Sequence, residues 1–335
     1  MKAIGYQESL PAEDERSLQD ITLEVPKVGG RDILVEVKAI AVNPVDYKIR
    51  ELMQPEGDEW KVLGWDAAGV VKAVGEEVSL FQVGDEVWYA GDLLRSGTYA
   101  QYQLVDERIV GRKPAQLSFS DSAALPLTSL TAWELLFDRM QVAKDDASKS
   151  ILVIGAAGGV GSIMVQLLKQ LTQLQIIGTA SRAETTAWLK ELGADYVINH
   201  RNKLSEELAQ QNLSEPDYIV SLNATEQHLK EIIKVIKPQG RFGFIDDPST
   251  LNVLPFKQKA VSAHIEFMFT RSMFQTSDMI EQHHILNQVA ELIDKGVIKT
   301  TVGEHLGTIN AENLRKAHQI LESGKAKGKM VLEGF

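Results

Sequence analysis

The chain contains no cysteine. Disulfides, thiol nucleophiles and thiolate-bound metals are thereby excluded. It also lacks any apolar run approaching the roughly eighteen residues of a membrane span. The opening "MKAIGYQESL" has no basic start followed by an apolar core, so a secretory leader is not expected. Positive charge is in short supply: 35 Lys and Arg stand against 46 Asp and Glu, a net charge of -11. That balance argues against nucleic acid or an anionic membrane as the main partner, while leaving room for a locally basic pocket. Internal repeats and low-complexity segments are missing too. What remains is ordinary globular composition, 44% hydrophobic and 24% charged over 335 residues, with room for two domains. A cytoplasmic enzyme without redox thiols is the expectation.

The first 110 or so residues read as β-rich. "DILVEVKAIAV", "DAAGVVKAVG", "VGDEVWYA" and "TYAQYQLV" are apolar, β-branched runs. Val28-Gly29-Gly30, Glu56-Gly57-Asp58 and Val83-Gly84-Asp85 mark turns around them. Short strands at this spacing predict a partly closed antiparallel barrel. Near residue 120 the pattern becomes helical, in "SFSDSAALPLTSLTAWELLF". From Ile151 the strands "ILVI", "QIIG", "YVI", "YIVSL", "RFGFI" and "HIEFMF" alternate with amphipathic helices, which calls for right-handed βαβ units and a parallel sheet. After about residue 270 a helix is expected over 277–295, then a strand at "IKTTV", a helix over Ala311–Glu322 and a last strand at "KMVLEG". This tail is expected to return to the N-terminal domain.

The strongest motif is "ILVIGAAGGVGSIMVQLLKQL", an apolar strand running through Gly155-Ala156-Ala157-Gly158-Gly159-Val160-Gly161 into a helix. Ala156, Gly158 and Gly161 take the three small-residue places of a dinucleotide fingerprint: tight turn, pyrophosphate approach and helix–strand contact. A phosphate-free structural turn is the rival reading, and the succession of βα units disfavours it. NAD sites usually carry an acid at the end of the second strand, about twenty residues on. Here that place falls near Ala180, and Ser181 and Arg182 follow, a hydroxyl and a guanidinium suited to a 2′-phosphate. Glu184 competes for the acid role but is also the fourth residue of a capping box opened by Ser181. Arg182 has a plainer reading as a solvated first-turn residue. NADP is expected over NAD.

Taken together, "VNPVDYKIR", "LGWDAAGVVKAVG", "LPLTSLTAWELL" and "GAAGGVGS" resemble the medium-chain dehydrogenase/reductase superfamily, in its quinone oxidoreductase branch. The C-terminal segments resemble the subgroup called zinc-type alcohol dehydrogenase-like. The resemblance implies an α/β fold: a GroES-like β-barrel catalytic domain over 1–124 and 267–335, and a Rossmann domain with a doubly wound parallel sheet over 125–266. It also implies an active site in the cleft between the domains and a homodimer joined at Rossmann-sheet edges. Zinc-dependent relatives carry Gly-His-Glu where this chain has Gly64-Trp65-Asp66, and a cysteine near Asn43. Trp65 cannot bind metal, and "YAGDLLRSGTYA" is too short for a four-cysteine lobe. His283 and His284 are adjacent on a helix and diverge. His200, His228 and His264 are isolated in sequence and read as surface or packing residues rather than metal ligands. No metal site is expected.

A metal-free member of this family would deliver hydride to acceptors that are already electrophilic, quinones or α,β-unsaturated carbonyls. The candidate catalytic residues are Asn43, Asp46 and Lys48; the resemblance puts Asn43 at nicotinamide or substrate, and the Lys48 ammonium suits a developing enolate or quinol oxygen. Against that, Asn43-Pro44 is a turn signal, and Asp46 can tie the turn to nearby backbone. Thr131, His200, Asn223, Ile245 and Asp246 join Ala156, Gly158, Gly159, Val160, Gly161, Ser181 and Arg182 as expected NADP contacts. Phe267, Phe269 and Phe274 either wall the substrate pocket or fill core, with core favoured. Asp66 stands where zinc-dependent relatives keep a glutamate, opposite a basic C-terminal residue that here is Lys329. An Asp66–Lys329 approach beneath the cofactor pyrophosphate is predicted, with Lys329 counted among the cofactor residues. Two rivals remain open: a zinc alcohol dehydrogenase, and an NADPH-binding sensor or interaction protein with little catalysis.

Overall fold

The structure, a computed structural model of the chain, describes residues 1–324 and 326–335. Eight strands precede residue 131: β1 (Lys2–Tyr6), β2 (Gln19–Thr22), β3 (Asp32–Val42), β4 (Lys61–Val62), β5 (Ala67–Val74), β6 (Glu86–Tyr89), β7 (Tyr102–Asp106) and β8 (Val110–Arg112). Six more follow: β9 (Ser150–Ile154), β10 (Gln175–Thr179), β11 (Tyr196–Ile198), β12 (Tyr218–Ser221), β13 (Arg241–Phe244) and β14 (Ser262–Ile265). The tail supplies β15 (Val302–His305) and β16 (Lys329–Glu333), with helices Glu281–Asp294 and Ala311–Glu322. The chain divides into two compact units, residues 1–130 with 269–335, and residues 131–268.

The first unit is built on β3. Its run of Ile, Leu, Val and Ala is buried along nearly its whole length because β5, β7 and β16 all pair with it, each antiparallel. The sheet runs β15-β16-β3-β5-β6-β8, with β7 branching from β3, and a smaller sheet runs β2-β1-β4. Pairing of Met330 with Val42 brings the start of β16 against the end of β3. The predicted return of the tail to this unit is therefore present.

The second unit holds a six-stranded sheet in the order β11-β10-β9-β12-β13-β14, with every pairing parallel. Counted within the unit, that is 3-2-1-4-5-6, the doubly wound order of dinucleotide-binding folds. β9 is buried at every position, as expected of a central parallel strand covered on both faces. Leu152, Ile177, Ile219 and Ile232 share a core with Phe242, Phe244 and Phe256, whose rings stack at 5.5 and 5.4 Å.

Several local expectations are corrected. The helical stretch around residue 120 is broken: Phe119–Ala123 and Pro126–Trp133 are separate helices, and Glu134–Arg139 continues as a π-helical turn. Pro126 lacks the N–H that would extend the first helix. The helix expected over 277–295 begins at Glu281, and the strand expected at "IKTTV" lies further on, at Val302–His305. The aromatic cluster is not a common core: Phe269 is buried, whereas Phe267 and Phe274 are 46% and 73% exposed. Among the described residues no helix is long and apolar enough to cross a membrane.

The crowding around β3 gives a direct test. A Cβ at Gly69 would lie 2.2 Å from the Glu36 carbonyl oxygen and 2.7 Å from Val35 Cγ1. Gly69→Ala is expected to destabilise the first unit by about 2 kcal/mol through strand displacement, read from urea denaturation.

Candidate functional site

In the second unit the expected cofactor residues fall at the carboxyl ends of the parallel strands, beside the point where strand order reverses between β9 and β12. That is where open α/β sheets bind dinucleotides. β9 ends at Ile154, and Gly155 turns the chain with φ +78°. Its N–H donates to Thr179 Oγ1 at 3.2 Å. The tight turn was expected at Ala156; Gly155 makes it instead, because only glycine takes a positive φ without strain. Ala156 is buried. The helix Gly159–Leu171 begins after Gly158, and its first-turn N–H groups lack helical acceptors as at any helix start. A Cβ at Gly161 would sit 2.3 Å from the Ala156 carbonyl oxygen, so this glycine permits the helix–turn contact. At Gly158 the nearest atom to a Cβ would be the Gly155 oxygen at 3.5 Å, with open space beyond. Gly158, Gly159 and Val160 thus form a cradle that fits a pyrophosphate.

Beyond β10, Ala180 is buried and Ser181 and Arg182 are half-buried. The expected Ser181–Glu184 capping box is absent. Arg182 is the residue that precedes the helix Ala183–Glu191, and Glu184 turns back to its guanidinium, Oε1 to Nε 3.1 Å. The Arg182 carbonyl accepts from the hydroxyls of Thr185 and Thr186, each at 3.0 Å. His200 follows β11 half-buried, its ring edge-on to His228 at 6.2 Å and its Nδ1 without a hydrogen-bond partner. Burial first, then neighbouring His228, holds the His200 pKa below the usual histidine value. Asn223 is exposed after β12, and its Oδ1 lies against Gly155. Asp246 uses both oxygens on Thr225: Oδ2 accepts its N–H at 2.9 Å and Oδ1 its hydroxyl. Ile245 is half-buried, and Thr131 is buried in the helix Pro126–Trp133.

In the first unit the predicted Asp66–Lys329 approach is present. Lys329 Nζ lies 2.9 Å from Asp66 Oδ2, with the two residues 4% and 0% exposed. The ammonium also donates to the Val42 carbonyl at 3.1 Å and to Asn43 Oδ1. All three of its hydrogens are committed, so a direct contact with a cofactor would have to break one of these bonds. Asp66 is equally occupied: Oδ1 accepts the Leu127 N–H and Oδ2 accepts Asn43 Nδ2, each at 2.8 Å. Burial raises the Asp66 pKa, against the pull of Lys329, Asn43 and Leu127. Asn43 is 2% exposed, and its amide is spent inside this cage.

Asp46 is fully buried and does tie the turn to backbone: Oδ2 accepts the Asn43 N–H at 2.8 Å. It also accepts the Tyr99 hydroxyl at 2.8 Å, while Oδ1 is buried without a partner. Tyr99 contacts His318 Nε2 at 3.2 Å, and Arg50 Nη1 meets His318 Nδ1 at 2.8 Å. Arg50 continues to Glu322 at 2.6 Å. None of Tyr99, His318 or Arg50 had been singled out in the sequence, and no spacing rule links positions so far apart. Lys48, on the same helix as Asp46, is half-buried.

With this geometry in place, comparison with known proteins is informative. A model of the alcohol dehydrogenase GroES-like domain matches residues 29–115, and one of a zinc-binding dehydrogenase matches residues 192–332. A zinc-type alcohol dehydrogenase-like protein of Staphylococcus epidermidis is 37% identical over 338 residues, 99% of each chain. The 2-methylene-furan-3-one reductase of Solanum lycopersicum is 30% identical, over 92% of this chain and 73% of its own. The quinone oxidoreductase of Lama guanicoe is 28% identical, over 99% and 97%. A crystal structure from Rhizobium etli CFN 42, of a protein assigned as a zinc-dependent alcohol dehydrogenase, gives a TM-score of 0.97 at 54% identity and covers 100% of this chain and 98% of the other. The chain belongs to the medium-chain dehydrogenase/reductase superfamily, oxidoreductases that work with a nicotinamide cofactor.

Zinc figures in several of those names, and the residues here do not suit it. Among the described residues no group of three or more His, Asp or Glu side chains could hold a metal. Trp65 has no lone pair to give; its indole N–H donates to the Asp92 carbonyl at 3.2 Å, and its ring meets Phe269 edge-on. The Asp66 carboxylate already holds an ammonium, and a dication beside Lys329 would be repelled.

Two predictions follow from the buried charges. Lys329→Met leaves Asp66 buried without its cation, and about 3–5 kcal/mol of stability is expected to be lost near neutral pH. Adding Asp66→Asn should recover part of that loss in the same denaturation assay. The second concerns pH. Burial pushes Asp46 up to about 7 and His318 down to about 3. The folded state therefore keeps a proton on Asp46 that the unfolded state loses above about pH 4, so this group makes stability fall as pH rises towards 7. His318 does the opposite: the unfolded state takes up its proton below about 6.5 and the folded state does not, so stability rises with pH. The two slopes cancel between about pH 4 and 6.5. Asp46→Asn should unmask the rising slope and His318→Gln the falling one, each at most about 1.4 kcal/mol per pH unit, measured by urea denaturation across that window.

Proposed function

We propose that this protein is a zinc-independent, NADPH-dependent oxidoreductase that passes hydride to quinones or α,β-unsaturated carbonyls. The observation that carries the reading is the Asp66 cage, where an ammonium and an amide take up the carboxylate and no Lewis acid has a donor set. Without such an acid, an acceptor must already be electrophilic, and conjugated carbonyls and quinones are. The relatives named as a quinone oxidoreductase and a 2-methylene-furan-3-one reductase support the same acceptor class.

The nicotinamide cofactor, when bound, supplies the hydride. Gly158, Gly159, Val160 and Gly161 would hold its pyrophosphate, with Ala156 shaping the turn behind them. Ser181 and Arg182 would take the 2′-phosphate, Arg182 exchanging Glu184 for it. Thr131, His200, Asn223, Ile245 and Asp246 are the remaining candidate contacts, and Lys329 would act indirectly, by fixing Asp66 and Asn43. As hydride reaches the β-carbon of an enone, negative charge gathers on the carbonyl oxygen. Lys48 is our candidate for stabilising that oxygen. Asn43 and Asp46 would hold the start of its helix rather than touch the acceptor.

We further propose a cytoplasmic homodimer. The outer edge of β14 is unpaired among the described residues and its side chains are mostly exposed, which suits edge-to-edge pairing of two sheets.

The test is a panel of quinones and enones run with NADPH and NADH in parallel, alongside metal analysis of the purified protein. Turnover with NADPH at under a tenth of an equivalent of zinc is expected. Arg182→Ala should raise KM for NADPH by about tenfold or more while leaving NADH nearly unaffected. Lys48→Met should lower kcat on a good enone. A preference for NADH would overturn the assignment of Ser181 and Arg182, and tight NADPH binding with no turnover would favour a sensor.

A further inference from the structure

The first unit buries a polar chain of which the proposed chemistry uses only Asp46. It gathers Asp46 and Arg50 from the helix Pro44–Leu52, Tyr99 from the segment before β7, and His318 and Glu322 from the helix Ala311–Glu322. Asp46, Arg50, Tyr99 and His318 are all fully buried.

Arg50 directs the hydrogens of His318 and Tyr99. Arg50 has only donors, so its Nη1 at 2.8 Å makes His318 Nδ1 an acceptor. A neutral ring then carries its proton on Nε2 and donates it to the Tyr99 oxygen at 3.2 Å. The Tyr99 hydroxyl hydrogen is left to donate to Asp46 Oδ2 at 2.8 Å. The same oxygen receives the Asn43 N–H at 2.8 Å, which closes the helix start. The opposite tautomer would set an N–H against an N–H at Arg50. The histidine on a C-terminal helix therefore dictates where a hydroxyl points beside Asn43.

We propose that Tyr99, His318 and Arg50 are positioning residues for reduction: through Asp46 they hold Asn43 at the start of the helix that carries Lys48. This rests on the reading of the protein as a quinone or enone reductase. Asp46 is faced by Tyr99, by Asn43 and, through space, by Lys329 and Asp66. His318 is faced by Arg50 and Tyr99, and Arg50 by Glu322 and Glu51 at 2.6 and 3.5 Å.

The experiment follows kcat against pH with NADPH and the best acceptor of the panel, using the full chain and variants checked for folding by circular dichroism. The wild type should show a limb near pH 7, where burial places Asp46. Asp46→Asn should abolish it. Tyr99→Phe removes a donor to the carboxylate and should move the limb up by about one unit. His318→Leu should lower kcat by about tenfold with KM for NADPH little changed, and His318→Gln, which can still accept from Arg50 and donate to Tyr99, should restore most of it. Wild-type profiles and kcat in both Tyr99→Phe and His318→Leu would overturn the proposal.

A second readout needs no turnover: ¹⁵N NMR of His318 should show Nε2 protonated and Nδ1 bare from pH 5 to 8. A ring that titrates in that range while turnover persists overturns the positioning role alone. A chain that binds NADPH but turns over no acceptor overturns the reductase reading and the positioning role with it.

Discussion

The first unit depends on one buried ion pair. A carboxylate and an ammonium this far from water cost several kcal/mol each to desolvate, and their attraction offsets that only where every remaining valence is used. Here the condition is met: Asp66 accepts from Leu127, Asn43 and Lys329, and Lys329 donates to Val42, Asn43 and Asp66. Those partners come from the end of β3, the approach to β5, the helix Pro126–Trp133 and the start of β16. One charge pair therefore fixes how a segment near residue 329 closes on segments near 43, 66 and 127.

The second unit is organised differently. Its geometry rests on backbone conformation rather than charge: a positive φ at Gly155, a close approach at Gly161 and open space at Gly158. Each glycine is required for a separate reason, and together they leave N–H groups facing outward at a helix start. The unit offers a cradle before any side chain is considered, and Ser181 and Arg182 follow beyond the second strand.

Much of this was legible in the residues. The parallel sheet followed from apolar strands alternating with helices, because strand and helix periods differ and each leaves its own mark. Asp66 drew notice as a carboxylate in an apolar run, and its pairing with Lys329 could be anticipated from the family resemblance. The limits are equally specific. Gly155 and Ala156 are both small, and only the backbone angle tells which one turns. The capping box at Ser181 failed because the helix starts one residue later than it requires, after Arg182, and Glu184 pairs with the Arg182 guanidinium. Tyr99, His318 and Arg50 left no signal, since a hydrogen-bond chain assembled from residues 46 to 318 has no period, and each member alone reads as an ordinary core or surface residue.

Trp65 has a consequence for how this place in the fold could change. The indole occupies its own place in the fold, donating to Asp92 and meeting Phe269 edge-on. Bringing a metal to this site would require a new ligand at Trp65, another at Asn43, and removal of the Lys329 charge. Any one change alone opens a void, strands a carboxylate or adds a cation beside a cation. Within this fold, single steps toward a metal ligand set at this place would come only with loss of stability.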